Sequence, residues 1–153
     1  MIAKTLKAFL DQRNIKYVVV AHSPAYTAQE IAASVHVPGQ FLAKTVMVVI
    51  DGALAMAVLP ANQRVLIEDL RDITETDDVR LAHESEFRDA FPDCESGAMP
   101  PFGNLYDMSV YVSPAMAERH EMVFSAGSHH EVIKMAWRDY ERLVKPHIVN
   151  FTM

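Results

Sequence analysis

Lys44 is one of only six lysines in the 153 residues, and it sits between Ala43 and Thr45 at the start of the most apolar stretch of the chain. An ammonium at the mouth of a buried sheet can hold a phosphate or a developing oxyanion, and partial dehydration strengthens that attraction. The same position suits a lysine that lays its stem along a strand end and leaves its charge in water. A second candidate is Gly97-Ala98-Met99-Pro100-Pro101-Phe102-Gly103. Its prolines fix φ and its glycines admit close backbone approach, so amide N–H groups can meet a carbonyl or phosphate with no side chain between. A rigid connection between elements would use the same residues. The third is Ser125-Ala126-Gly127-Ser128-His129-His130. In extended chain adjacent histidines point to opposite sides, so the two cannot bind one metal together, although one can face a pocket as donor or proton shuttle. His22 and Thr27 form the faintest pair, a loop histidine and a hydroxyl three residues before Glu30. Cys94 lies between Asp93 and Glu95, whose charges oppose a thiolate.

Other chemistries lack their residues. The chain has no G-x-x-x-x-G-K-[ST], no G-x-G-x-x-G, no H-E-x-x-H and no G-x-S-x-G. A single cysteine excludes an internal disulfide, a C-x-x-C redox pair and a Cys-type zinc site, and the seven histidines show no ligand spacing. No metal and no cofactor is expected.

A chain of 17.2 kDa with half its residues hydrophobic and 22% charged fits one domain over residues 1–153 that buries its core without a disulfide or metal. The N-terminal Met1-Ile2-Ala3-Lys4 lacks the apolar run of a signal peptide, and the apolar region 46–59 is broken by Asp51-Gly52 and too short for a bilayer. A cytoplasmic protein with no membrane partner is expected. The net charge of −6 argues against long contact with DNA. It is uneven, however: Glu68 to Glu95 holds 11 acidic and 3 basic residues, which leaves 9 acidic and 11 basic elsewhere. A contact with one end of a nucleic acid stays open.

The elements that must carry these residues interleave along the chain. Leu6, Phe9 and Leu10 predict a helix over 4–13, and Tyr17 to Val20 a strand. Thr27 and Glu30 form a capping box for a helix through Ile31 and Val35. Asp51-Gly52 joins two nearly all-apolar arms, 45–50 and 53–59, into a hairpin covered on both faces. Helices are predicted at 65–73 and 84–91, a strand at 109–112, and a helix start at Ser113-Pro114. Strands at 122–125 and 131–136 and a helix at 139–144 complete the pattern. The class is α+β, one domain with a mixed, mostly antiparallel, partly barrel-like sheet flanked by helices.

In this order the pieces resemble the YbaK/ProX family, aminoacyl-tRNA deacylases related to the editing domain of bacterial prolyl-tRNA synthetases. The resemblance rests on Tyr26-Thr27-Ala28-Gln29-Glu30, Ala43-Lys44-Thr45, Ala57-Val58-Leu59-Pro60-Ala61, the Gly97-x-x-x-Pro101 loop with Phe102-Gly103, and Ala126-Gly127-Ser128-His129, and it spans about residues 5–146. It implies a trans-editing hydrolase that removes a wrong amino acid from the 3′-terminal adenosine of a tRNA. The implied substrate is tRNA(Pro) carrying alanine or another small residue, with cysteine and serine close behind. The implied catalytic set is Lys44, Gly97, Pro101 and His129. The implied substrate contacts are Thr27, His22, Phe102, Gly127 and His130, with His130 the alternative to His129. The A-G-x-H-H run departs from the cysteinyl-tRNA(Pro) branch. Implied partners are the tRNA acceptor end and a prolyl-tRNA synthetase. A non-catalytic module gripping tRNA ends or a synthetase is the alternative.

Overall fold

The computed structural model describes residues 2–153. Its elements are α1 (Lys4–Gln12), β1 (Tyr17–Ala21), α2 (Ala28–Ser34), β2 (Leu42–Ile50), β3 (Ala53–Pro60), α3 (Ile67–Thr74) and β4 (Val79–Leu81). They continue with α4 (Glu84–Phe87), β5 (Ser109–Val112), α5 (Pro114–Ala117), β6 (Glu121–Ser125), β7 (Glu131–Ala136), α6 (Trp137–Val144) and β8 (His147–Ile148). The strands form one mixed sheet in the order β1-β7-β6-β2-β3-β5-β8, with β4 joined to β2 off that path. The β1–β7, β6–β7, β2–β3 and β2–β4 pairs are antiparallel, and β2–β6, β3–β5 and β5–β8 are parallel. This is the predicted α+β class, a mixed sheet flanked by helices.

The hairpin of β2 and β3 is the centre of the sheet. Asp51 and Gly52 take φ of 50° and 80°, the two positive values a two-residue turn of matching twist needs. Ile50 then faces Ala53, and the register runs unbroken to Ala43 opposite Pro60. Side chains alternate across a strand, and β3 is buried from Ala55 to Pro60 because both faces are covered. Met56 and Val58 join the larger core with Leu6 and Leu10 of α1 and with Phe102 and Tyr140, while Ala55, Ala57 and Leu59 pack with Leu70 of α3 and with Phe151.

The other edge of β2 is shared, and this division makes the site. Leu42 and Ala43 pair with Val123 and Phe124 of β6, and Val48 to Ile50 pair with β4. Between these contacts no strand among the described residues lies along Lys44, Thr45 and Val46 on that edge; the Met47 carbonyl accepts from the Ala82 N–H at 3.0 Å. A sheet that splits in this way opens a cleft at the split.

Some local expectations give way to long-range packing. Val65 is not helical but bridges Thr152, so α3 starts at Ile67. The helix predicted over 84–91 breaks into α4 and a 3₁₀ turn at Arg88–Ala90, as Phe91 is drawn into the core against Tyr106 at 4.5 Å between ring centroids. The strands β4 and β8 carry no sequence signal of their own. They extend because edges of β2 and β5 offer backbone partners.

Candidate active site

The cleft at the split is lined by Tyr26, Ala28 and Ile31 from the start of α2, Leu42 to Thr45 of β2, Gly97 and Met99 of the proline-stiffened loop, and Ser125 at the end of β6. Its cavity volume is only about 40 Å³, room for little more than a water molecule, so the cleft is narrow. Lys44 Nζ donates to the Ala61 carbonyl at 3.3 Å. Among the described residues no carboxylate lies within ion-pair distance of it. Burial holds the ammonium below the ordinary lysine range. An unpaired, partly dehydrated cation is thus fixed in a narrow cleft.

Gly97 lies across the pocket with φ of 89°. Its amide donates only to the Met99 thioether, at 3.2 Å, a weak acceptor. The Met99 amide has no hydrogen-bond partner among the described residues, although Met99 is buried. Two poorly satisfied backbone donors, one on the exposed Gly97 and one on the buried Met99, therefore belong to residues that line the same cleft as Lys44.

The remaining predicted site residues divide sharply. His129 packs against the bend, its Cε1 3.4 Å from where a Gly97 Cβ would lie, but it does not line the cleft. Its Nε2 donates to the Ser96 carbonyl at 2.7 Å, and Glu95 accepts from the His129 amide at 3.2 Å. Since a carbonyl only accepts, Nε2 carries the proton, and Nδ1 is left buried without a partner. His129 therefore stands behind the Gly97 bend, not on the cleft lining. His130 points the other way, 44% exposed, into a groove with Cys94 and Glu95. The two histidines diverge, but residues 127–130 form a bend and turn between β6 and β7 and not the extended chain on which alternation was expected.

Phe102 and Pro101 were expected at the substrate and are in the core instead. The Phe102 ring is fully buried against Phe124 and Tyr140, and the Pro101 carbonyl accepts from the Tyr140 hydroxyl at 2.7 Å. A stiff loop needs an anchor, and these two supply it. Gly127 touches Ala3 rather than the cleft. His22 uses Nδ1 on its neighbour's carbonyl, Ser23, at 2.7 Å, and its Nε2 is buried without a partner. Burial pushes the Cys94 thiol up to about 12, which removes it as a nucleophile at neutral pH.

Thr27 is an exposed cap. Its hydroxyl accepts from the Glu30 amide at 3.1 Å, and Glu30 accepts from the Thr27 amide at 3.2 Å. Thr27→Ala should cost about 1 kcal/mol, read as a fall of about 2–4 °C in Tm. A small change in kcat/KM would accompany it, through looser seating of Tyr26 and Ala28. A large loss of turnover at unchanged Tm would instead make Thr27 a substrate contact.

Sequence reasoning missed Tyr26, Thr45, Met99 and Ser125 as lining residues. Thr45 and Ser125 looked like ordinary strand residues. Their common signal is a hydroxyl where a strand loses its neighbour, and that is invisible until β6 is seen to leave β2.

Comparison with known proteins gives the family of the chain. Residues 22–143 match the aminoacyl-tRNA editing domain, and the chain belongs to that family. Hydrolysis of aminoacyl-tRNA, the activity expected from the motifs, agrees with this membership. The multifunctional Ser/Thr-tRNA deacylase ProXp-y of Escherichia coli (strain K12) is 27% identical over 154 residues, covering 95% of this chain and 90% of that protein. A structure described as a candidate trans-editing enzyme for prolyl-tRNA synthetase superposes with a TM-score of 0.84 at 17% identity, covering 99% of this chain and 96% of the other. A hypothetical protein of known structure reaches 0.87 at 18% identity, covering 98% and 100%. These two likenesses are of fold. Among the described residues no helix is long and apolar enough to cross a membrane.

Proposed function

We propose that this chain is a trans-editing deacylase that clears a hydroxyl amino acid, serine or threonine, from the 3′ end of a mischarged tRNA. The observation that carries the reading is the pairing, across one small cleft, of the unpaired Lys44 ammonium with the poorly satisfied amides of Gly97 and Met99. An aminoacyl ester is already activated, so the site has to hold the carbonyl, stabilise the oxyanion and seat a water. Water adds to the ester carbonyl, the bond to the 3′-oxygen breaks, and the free amino acid and the terminal hydroxyl are released. Lys44 binds the terminal phosphate or the developing negative charge, and the bend amides bind the carbonyl oxygen. The substrate's own 2′-hydroxyl orients the water, in keeping with a cleft lined by no carboxylate or histidine.

The choice of amino acid moves from alanine, the first expectation, to serine. Thr45 and Ser125 are both among the residues that line the cleft, and neither hydroxyl has a partner among the described residues. A site built to hydrogen-bond a hydroxyl discriminates far better than one that measures size. The naming of the E. coli relative supports the same choice. The tRNA identity and association with a prolyl-tRNA synthetase follow the motif resemblance and belong to the proposal.

A panel of tRNA(Pro), tRNA(Thr) and tRNA(Ala) charged with alanine, serine, threonine or cysteine tests it. Seryl-tRNA should be hydrolysed about tenfold or more faster than its alanyl counterpart on the same tRNA. Alanyl-tRNA as the best substrate would overturn the hydroxyl reading. No release from any member would make the chain a binding module. Addition of prolyl-tRNA synthetase should raise the rate if the two associate.

A further inference from the structure

We infer that Tyr26 is the stacking platform for the terminal nucleobase of the tRNA, an inference that rests on the aminoacyl-tRNA reading above. Tyr26 stands immediately before the cap of α2, and Ile31 four residues past the cap. A large apolar residue there ordinarily folds down onto its partner one turn in, closing a hydrophobic staple. Here Ile31 is 3% exposed but Tyr26 is 70% exposed, and both line the cleft. The ring leans away, onto His129, with centroids 4.8 Å apart and planes tilted by 47°. Its hydroxyl has no partner among the described residues.

The backbone that carries this ring is well held. The Ala25 amide donates to the His129 carbonyl at 2.9 Å on one side, and the Thr27–Glu30 capping box closes the other. Of the six large hydrophobic residues that are well exposed among the described residues, only Tyr26 lines the cleft. A fixed, exposed aromatic at the mouth of a site for an acylated adenosine needs a flat partner. With the ester between Lys44 and the Gly97 bend, the ribose lies at the mouth and the adenine beyond it, over Tyr26. The base then lies against a ring that is already braced by its tilted contact with His129. Such stacking is tolerant of base identity, so it would bind the shared 3′ end of any tRNA and leave the choice of amino acid to the cleft.

The test uses the full chain and an uncharged acceptor-stem RNA with 2-aminopurine as its terminal base. Wild type and Tyr26→Phe should quench the probe on binding. Tyr26→Ala should lose the quench and bind about tenfold more weakly. With seryl-tRNA, Tyr26→Ala should raise KM by a similar factor and leave kcat little changed. Tyr26→Trp should restore both readouts, which guards against a folding artefact. Hydrolysis by wild type with quench and KM unaltered in Tyr26→Ala would overturn the stacking role and leave the deacylase standing. Quenching through Tyr26 with no hydrolysis of any charged tRNA would do the reverse. Failure of wild type to quench the probe at saturation would sink the stacking role as well.

Discussion

Lys44→Ala is expected to lower kcat/KM for deacylation by about 10²–10³-fold, the range seen when one preorganised oxyanion group is removed. The loss should fall mainly on kcat if the ammonium meets charge that develops in the transition state, and on KM if it anchors the terminal phosphate. Stability should not fall with it. Among the described residues Lys44 is the one cation lining the cleft and bonds only to the Ala61 carbonyl, with its pKa lowered by burial. A lysine whose folded pKa lies below its unfolded value lets the unfolded chain bind more protons between the two values. Stability therefore rises with pH across that window, and the penalty is fully present below the lowered folded value. Lys44→Met should have a Tm equal to or above wild type while being inactive, the mark of a group kept for function. In wild type kcat/KM should decline as pH rises through the lowered lysine value. Lys44→Arg keeps a permanent charge and should abolish that decline whatever its residual rate. Full activity in Lys44→Ala, or a large drop in Tm in Lys44→Met, would remove the residue from the mechanism.

Gly127→Ala is expected to destabilise the protein by about 3 kcal/mol or more, or about 6–12 °C in Tm, and to impair turnover as well. Gly127 has φ of 109°, where an L side chain is strained. An added Cβ would also lie 2.8 Å from Ala3 Cβ and 3.0 Å from Ala3 N. Ala3 cannot yield cheaply, for it is 1% exposed and its amide donates to the Ala126 carbonyl at 2.8 Å. Gly127 in turn ties down the Gly97 bend: its amide donates to the Ala98 carbonyl at 2.8 Å, and its carbonyl accepts from the Glu95 amide at 2.8 Å. Displacement there moves Gly97 and Met99 together. Gly97→Ala makes the contrast, since its nearest contact would be His129 Cε1 at 3.4 Å. It should lose activity at a smaller cost in Tm. Adding Ala3→Gly to Gly127→Ala should recover only the part of the loss due to the Ala3 Cβ, leaving the contacts with Ala3 N and Cα and the backbone strain, a non-additivity that urea titration can read. Equal Tm for Gly127→Ala and wild type would show that the two loops are not locked as described.

Local chemistry was enough for the elements whose signals lie within a few residues of one another. The Thr27–Glu30 box, the Asp51-Gly52 turn and the Ser113-Pro114 helix start each depend on bonds that close over short spans, and each stands where the pattern puts it. Lys44 and the Gly97 loop were candidates by residue type, but local context suited a snorkelling lysine and a rigid connection as well, and only the order of the motifs singled them out. The roles of Pro101, Phe102 and Gly127 were not legible, because motif order says which residues recur together and not which way they face. Phe102 turns inward since its ring has Phe9, Phe124 and Tyr140 to pack on. Only packing across the chain decided the cleft itself: β6 parts from β2 after Ala43, and residues 26, 45, 99 and 125 become neighbours at the opening. Side-chain patterns carry the period of a strand, but strand pairing is a matter of backbone hydrogen bonds between distant segments. No single stretch of sequence holds that information.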